Sequence, residues 1–534
     1  MKSPGPNRMQ SLFGLRSFVI LVACAIAWPA GAQSPESIPT EAFSGVPNEN
    51  NAGAGGGSMA DFDSLMTLIQ QTVEPDTWEA LGGVGTMAPY PAGVLVDADG
   101  LLREATSQEI AGSDALDSKH ADAIARMLSP EAASPKLDSA EDLDWRSPAP
   151  IRCVSIRRMM QAYAAATMAG RPLDQDDALV AMAGLSKVAV VVVTPDDFIL
   201  AGTVGGFENV GGWTVDAKNG LPTMRLSGLA VGLTAARSGN AYGCTIDPST
   251  EGLQAAASLG QRIVSGEVPM VTAADALASA LGRQDIRVFG TSADHEVAYL
   301  MVEADRHMKR LALGDEPMPV GVRNYLLSIA ATGDGTPPSD LLLRLWFTSH
   351  ALRMRTSDVE STQVIQLAGT PLQLSGQNEL ALKSGQRGNV VIDPATLAFV
   401  DHFNQNWESI RRAYPIYGAL ESLYSSTAIA ELWTRRSPSN DHAILQRALM
   451  YFAAEQANQL IAPKQVDSIA VFHRYKRGRK RHQVLLASGG VKIQAADLLP
   501  KSSPDYPGLK SLAKIAEQRP DDRWWWNARG VGIE

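Results

Sequence analysis

The feature that most limits how this chain can fold is an unbroken run of β-branched residues, Val190-Val191-Val192-Val193, inside the segment 187–194. A strand with no alternating polar positions is suited to burial on both faces of a sheet. Pro195-Asp196-Asp197 follows as a turn, and the segment 198–201 predicts a returning strand. We therefore expect a mixed α/β (α+β) fold around this run.

The clearest helix is predicted over residues 294–313. Its apolar residues recur at helical spacing and form one stripe: Val297, Leu300, Met301, Ala304, Met308, Leu311 and Ala312. Most of the charged residues fall outside this stripe. Asp305 and Lys309 are four residues apart, a spacing that allows a supporting ion pair on the helix surface.

Further elements are predicted along the chain. Residues 228–236 form a strand or a short helix, and 396–434 and 441–461 are helical. Residues 468–472 and 483–486 pair as a hairpin around a basic turn, and 489–493 form another short strand.

These patterns predict a multidomain chain. It has a small N-terminal α/β unit, a central mixed α/β domain, a helix-rich segment and a small C-terminal β unit. The predicted divisions are a signal peptide at 1–32, a linker at 33–58, the N-terminal unit at 59–103, a second linker at 104–150, the central domain at 151–290, the helix-rich α/β domain at 291–462, the C-terminal hairpin unit at 463–500 and a tail at 501–534.

The first residues have the pattern of a secretory signal peptide. Three basic residues precede a short apolar run at 18–28, and small residues lead to Ala32. This run is shorter than the roughly 20 residues of a transmembrane helix. We expect an exported protein, periplasmic or extracellular, cleaved near Ala32 and with no membrane span in the mature chain. A lipid anchor at Cys24 is the alternative, although the apolar run continues beyond that residue.

Composition narrows the function classes. The 534 residues are 45% hydrophobic and carry a formal net charge of −10, which argues against a dedicated nucleic-acid binder with a basic face. Beyond the leader there are two cysteines, Cys153 and Cys244. In an oxidising compartment such a pair invites a disulfide, and two separate buried thiols are the alternative. No cofactor is indicated.

Six segments carry a resemblance: 61–102, 183–202, 243–253, 280–290, 302–314 and 399–424. In this order they resemble a family of exported planctomycete proteins described only as a domain of unknown function. The resemblance implies export and a multidomain α/β build, and it implies no reaction. The segment 61–102 is also similar to a short domain of other envelope proteins of that phylum, which implies assembly or binding. The chain departs from the usual pattern at Arg306-His307.

Candidate site residues lie on the predicted helices. Glu303, Asp305 and Asp401 are the carboxylates available for acid/base catalysis, which needs two such groups and leaves no motif. Glu303 and His307 share a helix face at metal-ligand spacing, with His295 and Glu296 nearby. A closed zinc site needs four ligands, so solvated helix residues are the simpler interpretation.

Established catalytic motifs are absent from the sequence. It has no Gly-x-Ser-x-Gly elbow, no His-Glu-x-x-His and no phosphate-binding loop. Ser511 and Lys514 match Ser-x-x-Lys without its companion motifs. The Trp triplet at 524–526 either docks on the protein itself or anchors at an interface, and self-docking is the preferred interpretation.

A basic cluster stands out in this acidic chain: Arg474, Lys476, Arg477, Arg479, Lys480 and Arg481. It can attract an anionic lipid, a polysaccharide or an acidic envelope protein. The alternative is a solubilising hairpin tip that protects an edge strand. The sequence favours a non-enzymatic structural or interaction protein of the cell envelope. An extracytoplasmic hydrolase that uses carboxylates is the alternative, and the oligomeric state stays open.

Overall fold

The computed structural model describes residues 86–90, 93–97, 144–169, 171, 173, 177–210, 213–269, 272–332, 341–381, 387–391, 393–436, 446, 449, 461–477 and 480–532. All of them belong to one compact unit, Gly53–Glu534. The predicted leader, both predicted linkers up to residue 143 and most of the predicted helix at 441–461 lie outside the described residues.

The described strands form two large sheets and two separate hairpins. The hairpins are β1 (Thr86–Tyr90) with β2 (Gly93–Asp97) and β6 (Phe207–Val210) with β7 (Trp213–Asp216). The other strands are β3 (Ala149–Ser155), β4 (Val190–Val193), β5 (Phe198–Val204), β8 (Tyr242–Pro248), β9 (Arg283–Phe289), β10 (Leu341–Ser349), β11 (Arg353–Val359), β12 (Thr362–Ala368), β13 (Leu372–Ala381), β14 (Arg387–Val391), β15 (Gln465–Asp467), β16 (Ala470–Arg477), β17 (Lys480–Ile493) and β18 (Trp525–Asn527).

The described helices are α1 (Ile156–Met168), α2 (Leu226–Ser238), α3 (Thr250–Val264), α4 (Ala273–Leu281), α5 (Glu296–Leu313), α6 (Tyr325–Ala331), α7 (Pro394–Gln405), α8 (Trp407–Ala413), α9 (Pro415–Arg435) and α10 (Lys514–Glu517). Short 3₁₀ turns cover Met182–Gly184, Ala495–Leu498 and Pro507–Ala513. The mixed α/β class is confirmed. Residues 228–236, left open between strand and helix, belong to helix α2.

The smaller sheet has the strand order β11-β12-β4-β5-β3-β18 and is antiparallel throughout. As predicted, β4 is buried on both faces. Val191 and Val193 face the main core, whereas Val190 and Val192 face a second apolar cluster. The C-terminal residues 507–516 cover that second face. The uninterrupted valine run therefore reflects two apolar layers, one of them supplied by the end of the chain.

The predicted tail thus forms part of the fold. Trp525 and Trp526 lie in β18 and pair with Val154 and Cys153 of β3. All three tryptophans of the triplet are buried. The prediction that the triplet docks on the protein's own body is confirmed.

The larger sheet has the order β14-β13-β10-β17-β8-β9-β15, and β16 pairs with β17 outside this path. Its pairs are antiparallel except β10 with β17, which is parallel. Strands from the predicted central, helix-rich and C-terminal segments therefore share this sheet. The larger sheet therefore crosses the predicted domain boundaries at 290 and 462.

Helix α9 packs between the two sheets. Phe198 of β5 stacks on Trp433 of α9, and the hydroxyl of Tyr424 donates to the carbonyl of Lys492 in β17 at 3.2 Å. Helix α5 lies against β8 and β17 of the larger sheet and also contacts α9. Within the part of the chain that the structure describes, none of the helices has both the length and the apolar character needed to cross a membrane.

Strand β17 is longer than predicted, because the hairpin strand and the segment 489–493 form one 14-residue strand. Gly489 lies at φ +142° directly against β10, where an added Cβ would come within 1.7 Å of the carbonyl oxygen of Leu345. No side chain fits between these two backbones. Glycine is therefore required for β10 and β17 to pair.

We expect Gly489→Ala to lower the free energy of unfolding by about 3 kcal/mol, at the upper end of overpacking costs, because β10 and β17 must separate. Urea unfolding followed by circular dichroism measures the change. Gly260→Ala on the open surface of α3 is the matched control, since its added methyl group meets nothing within 4 Å. An equal loss of stability in both variants would contradict the close-packing argument.

Candidate functional site

Helix α5 carries most of the predicted site residues, and both of its ends are capped. The Nδ1 atom of His295 accepts a hydrogen bond from the backbone N–H of Val297 at 3.1 Å. Gly314 ends the helix in the left-handed conformation, at φ 79°. Burial holds the pKa of His295 below its usual value, partly offset by Glu296, which favours the neutral imidazole that can accept this bond.

An ion pair lies inside the protein on this helix. Lys309 Nζ is 2.7 Å from a carboxylate oxygen of Asp305, and the two side chains are 2% and 0% exposed. Lys309 also donates to the carbonyl of Ile246 in β8 at 3.4 Å. The pairing that the spacing allows is present, and it is buried because this side of α5 packs against the sheet.

Further polar groups surround the pair and with it form a buried charge cluster, made of Cys244, Asp247, Asp305, Lys309 and Arg344. Arg344 of β10 and Asp247 of β8 form a second ion pair at 3.3 Å. Burial raises the pKa of Asp305; Lys309 opposes that shift and Asp247 adds to it. Burial also raises the pKa of the Cys244 thiol, and the charge of Asp305 adds to this effect.

His307 extends this cluster toward the surface. Its Nδ1 atom lies 2.9 Å from the hydroxyl of Tyr417, and its ring centroid is 4.6 Å from that of Tyr414. Burial and then Arg310 lower the pKa of His307, whereas burial and then Asp305 raise the pKa of Tyr417. A nucleophile is activated by a lowered pKa. The Cys244 thiol and Tyr417 phenol are shifted in the opposite direction.

The other candidate residues have partners or lie at the surface. Glu303 pairs with Arg306 at 2.7 Å, and Glu296 accepts a hydrogen bond from Ser227. Asp401 is exposed on α7. Within the described ranges, no three His, Cys, Asp or Glu side chains come together as a possible metal site. Glu303 and His307 share a helix turn, as predicted, but bind different partners.

The disulfide alternative is wrong in this structure. Cys153 and Cys244 are both free and buried. Cys153 lies on β3 of the smaller sheet and Cys244 on β8 of the larger sheet, in two different apolar clusters. Burial raises the pKa of Cys153 to about 12. The alternative of two separate buried thiols describes the pair.

Sequence reasoning missed a buried network that fixes the C-terminal segment. Asp197, fully buried after β4, accepts hydrogen bonds from Ser155 Oγ at 2.5 Å and from Arg519 at 2.8 Å. Arg519 also pairs with Asp196 at 3.0 Å. Asp196 and Asp197 were interpreted only as turn residues. No local pattern could identify a partner more than 300 positions further along the chain.

Arg152 plays a similar part on β3. Its guanidinium donates to Asn527 Oδ1 at 2.7 Å and to the carbonyls of Trp145 and Ala183 at 2.8 and 2.6 Å. Ala183 lies at φ +52° between two other positive-φ residues, Met182 and Gly184. One buried cation therefore ties an unusual left-handed turn to the C-terminal strand.

The basic cluster lies in the predicted hairpin, which is confirmed as β16 and β17. Antiparallel pairing places Arg474 opposite His482 and Arg477 opposite Lys480, with a register irregularity between these two pairs. Lys476 lies on β16 and Arg481 lies on β17, whereas Arg479 lies outside the described residues. Residues 480–486 of β17 pair with β16 and with no other described strand. The basic residues thus meet on a two-stranded ribbon.

We expect Lys309→Met to cost about 3–5 kcal/mol of folding stability, because it leaves Asp305 buried without its partner. The raised pKa of Asp305 gives the sign of the pH dependence. A carboxyl whose folded-state pKa is raised stabilises the fold below its unfolded pKa and loses that contribution as the pH rises. The variant should therefore lose more stability at neutral pH than near pH 4, as thermal unfolding at several pH values would show.

Two further variants make this test specific. Asp305→Leu combined with Lys309→Met removes both charges and should recover most of the loss. Arg262→Met breaks the exposed pair of Arg262 with Glu267, 3.3 Å apart, and should change stability by no more than about 0.5 kcal/mol. If the double variant is as unstable as Lys309→Met, packing around the methionine, and not charge burial, is responsible.

The comparison with protein families gives a match to part of the chain. Residues 244–325 match the family model described as Protein of unknown function (DUF1598). No curated protein and no solved structure matches the chain. The matched stretch begins at Cys244 and includes helix α5 with its Asp305–Lys309 pair. Residues 244–325 are therefore similar to a domain of unknown function.

Proposed function

We propose that this chain is an exported, non-enzymatic interaction protein of the cell envelope, and that it binds an anionic envelope component through the β16–β17 hairpin. One observation carries the proposal. The pairing of these two strands brings basic residues opposite each other on a ribbon that extends past the pairing of β17 with β8 and β10.

Like charges lie on opposite strands of the hairpin. Arg477 and Lys480 face each other across the ladder, and like charges directly opposite on paired strands destabilise them. A two-stranded ribbon is itself marginally stable in water. The pair of Arg477 and Lys480 therefore weakens the ribbon that holds it. An anionic partner relieves this repulsion, and this favours a binding function over simple solubilisation.

The net charge of the protein supports a local site. At a formal charge of −10 the whole chain repels anions. Exposed charges farther apart than about 8 Å are screened at physiological ionic strength. From Ala487 to Lys480 an extended strand covers about 23 Å. The hairpin end can thus present a positive surface that the acidic remainder screens only weakly.

Export and family membership are supported by the sequence. The pattern of residues 1–32 is that of a cleaved signal peptide. Three of the six segments that resemble the exported planctomycete family fall in or next to the matched residues 244–325. We propose that the resemblance over 61–102, 183–202 and 399–424 reflects membership of the same family.

The hydrolase alternative needs two carboxylates that face one substrate. Asp305 is fully buried in its ion pair, whereas Asp401 is exposed on α7. Glu303 is held by Arg306. These three residues do not form a catalytic pair, and the interaction function is the better supported of the two.

We expect the purified mature protein to bind vesicles containing phosphatidylglycerol or soluble polygalacturonate, and to release them as salt is raised, because the attraction is electrostatic. Replacing Arg474, Lys476, Arg477 and Lys480 by glutamine should abolish this binding. Co-sedimentation and titration calorimetry measure it.

The matched control replaces Lys501, Lys510 and Lys514, three exposed lysines away from the hairpin, by glutamine. It should bind as the wild type does. If the hairpin variant also retains its binding while remaining folded by circular dichroism, the proposed function is wrong.

We further expect that the full-length chain, expressed in a Gram-negative host, yields a soluble periplasmic product starting at Gln33, because small residues at Ala30 and Ala32 suit cleavage there. Mass spectrometry of the intact product checks this. A variant with Ala32→Asp should remain unprocessed. An N-terminal Cys24 carrying a lipid mass would establish the anchored alternative instead.

A further inference from the structure

A second basic surface lies at the edge of the larger sheet, where β9 pairs with β15. A groove of about 570 Å³ opens there, lined by Arg283, Asp285, Ile286, Arg287, Pro463, Lys464 and Gln465. Alternate residues of a strand share a face, so Arg283, Asp285 and Arg287 lie together on one side of β9. The opposite wall comes from the segment that leads into β15.

The charges in this groove are unbalanced. The carboxylate of Asp285 accepts a hydrogen bond from the amide of Gln465 at 2.8 Å. Arg283 pairs with Asp467 at 3.5 Å. Arg287 and Lys464 are exposed, and across the described ranges neither forms an ion pair. Arg287 and Lys464 therefore face the single carboxylate of Asp285, so the groove keeps one positive charge in excess, beside the amide of Gln465 and apolar surface from Pro463.

The groove and the basic hairpin are close along the chain. Lys464 precedes Arg474 by ten residues, and two residues separate β15 from β16. Fully extended, ten residues span at most about 35 Å. The two positive surfaces cannot be farther apart than this, whatever path the chain takes. A ligand that is long, flexible and anionic along its length can reach both.

We propose that the partner is a linear acidic polysaccharide that occupies the groove and the hairpin together; this rests on the proposed function of the hairpin. Carboxylate or sulfate groups pair with Arg287 and Lys464. The amide of Gln465 provides hydrogen-bonding capacity for hydroxyl groups, and the apolar face of a sugar ring lies on Pro463. A bilayer surface is too flat to enter a groove, so the groove favours a polymer chain over a lipid headgroup.

Binding at two linked sites predicts a dependence on polymer length. A long chain gains affinity when its second contact becomes intramolecular. We expect long polygalacturonate to bind the mature protein about 10²-fold more tightly than a short fragment that reaches only one site. In Arg287→Gln combined with Lys464→Gln, this advantage should disappear while the short fragment still binds the hairpin. Both residues are exposed, so the variant should fold. Circular dichroism is the control for its folding.

Titration calorimetry separates the outcomes. It compares the wild type, the groove variant (Arg287→Gln with Lys464→Gln) and a control variant (Lys510→Gln with Lys514→Gln). If the groove variant keeps the full length advantage, the groove is outside the site, while the hairpin function stands. If polyphosphate of similar length binds as tightly, the assignment to sugar is wrong. If only phosphatidylglycerol vesicles bind, the partner is a lipid and the inference falls. If no anionic probe binds the wild type, the proposed function falls with it.

Discussion

The close approach of β17 to β10 and β8 is the constraint on which the larger sheet depends. Gly489 and Gly490 leave no space for a Cβ against the carbonyl oxygens of Leu345 and Cys244, at 1.7 and 2.0 Å. These contacts join strands from three distant parts of the chain into one sheet. The same strand continues outward to pair with β16. The position of the basic hairpin is therefore fixed by backbone packing in the sheet centre.

The buried ion pair of Asp305 and Lys309 on α5 affects the stability of the fold in a different way. Taking Asp305 and Lys309 out of water costs several kcal/mol for each ion, and their attraction offsets this only in good geometry. The two charges are 2.7 Å apart, and the ion pair of Asp247 and Arg344 lies nearby. Such pairs contribute little net stability compared with apolar residues of similar volume. We infer that this pair fixes the position of α5 on the sheet more than it strengthens the fold.

Local patterns in the sequence predicted local structure well. The valine run of β4, the stripe of α5 and the pairing of β16 with β17 each depend on neighbours in sequence, and all three are confirmed. The strands are longer than predicted, so basic residues expected in the turn lie on the strands. The burial of Lys309 was missed, because a charged residue next to an apolar stripe is usually solvated. The contact of Arg519 with Asp197 was also missed, since long-range partners leave no periodic signal. The basic hairpin was found because its charge is concentrated within eight residues.

The buried, paired charges and the exposed cations of this protein therefore differ in their ability to attract a ligand. Ions in the buried charge cluster are neutralised by one another inside the core, so they have no attraction left for a ligand. In the hairpin Arg477 lies opposite Lys480, and Arg287 and Lys464 are exposed at the edge of the same sheet. Unbalanced charge attracts a partner, and balanced charge does not. Under the proposed function, an acidic body with excess cations at the hairpin and at the β9–β15 edge attracts a polyanion at these two places and repels it elsewhere.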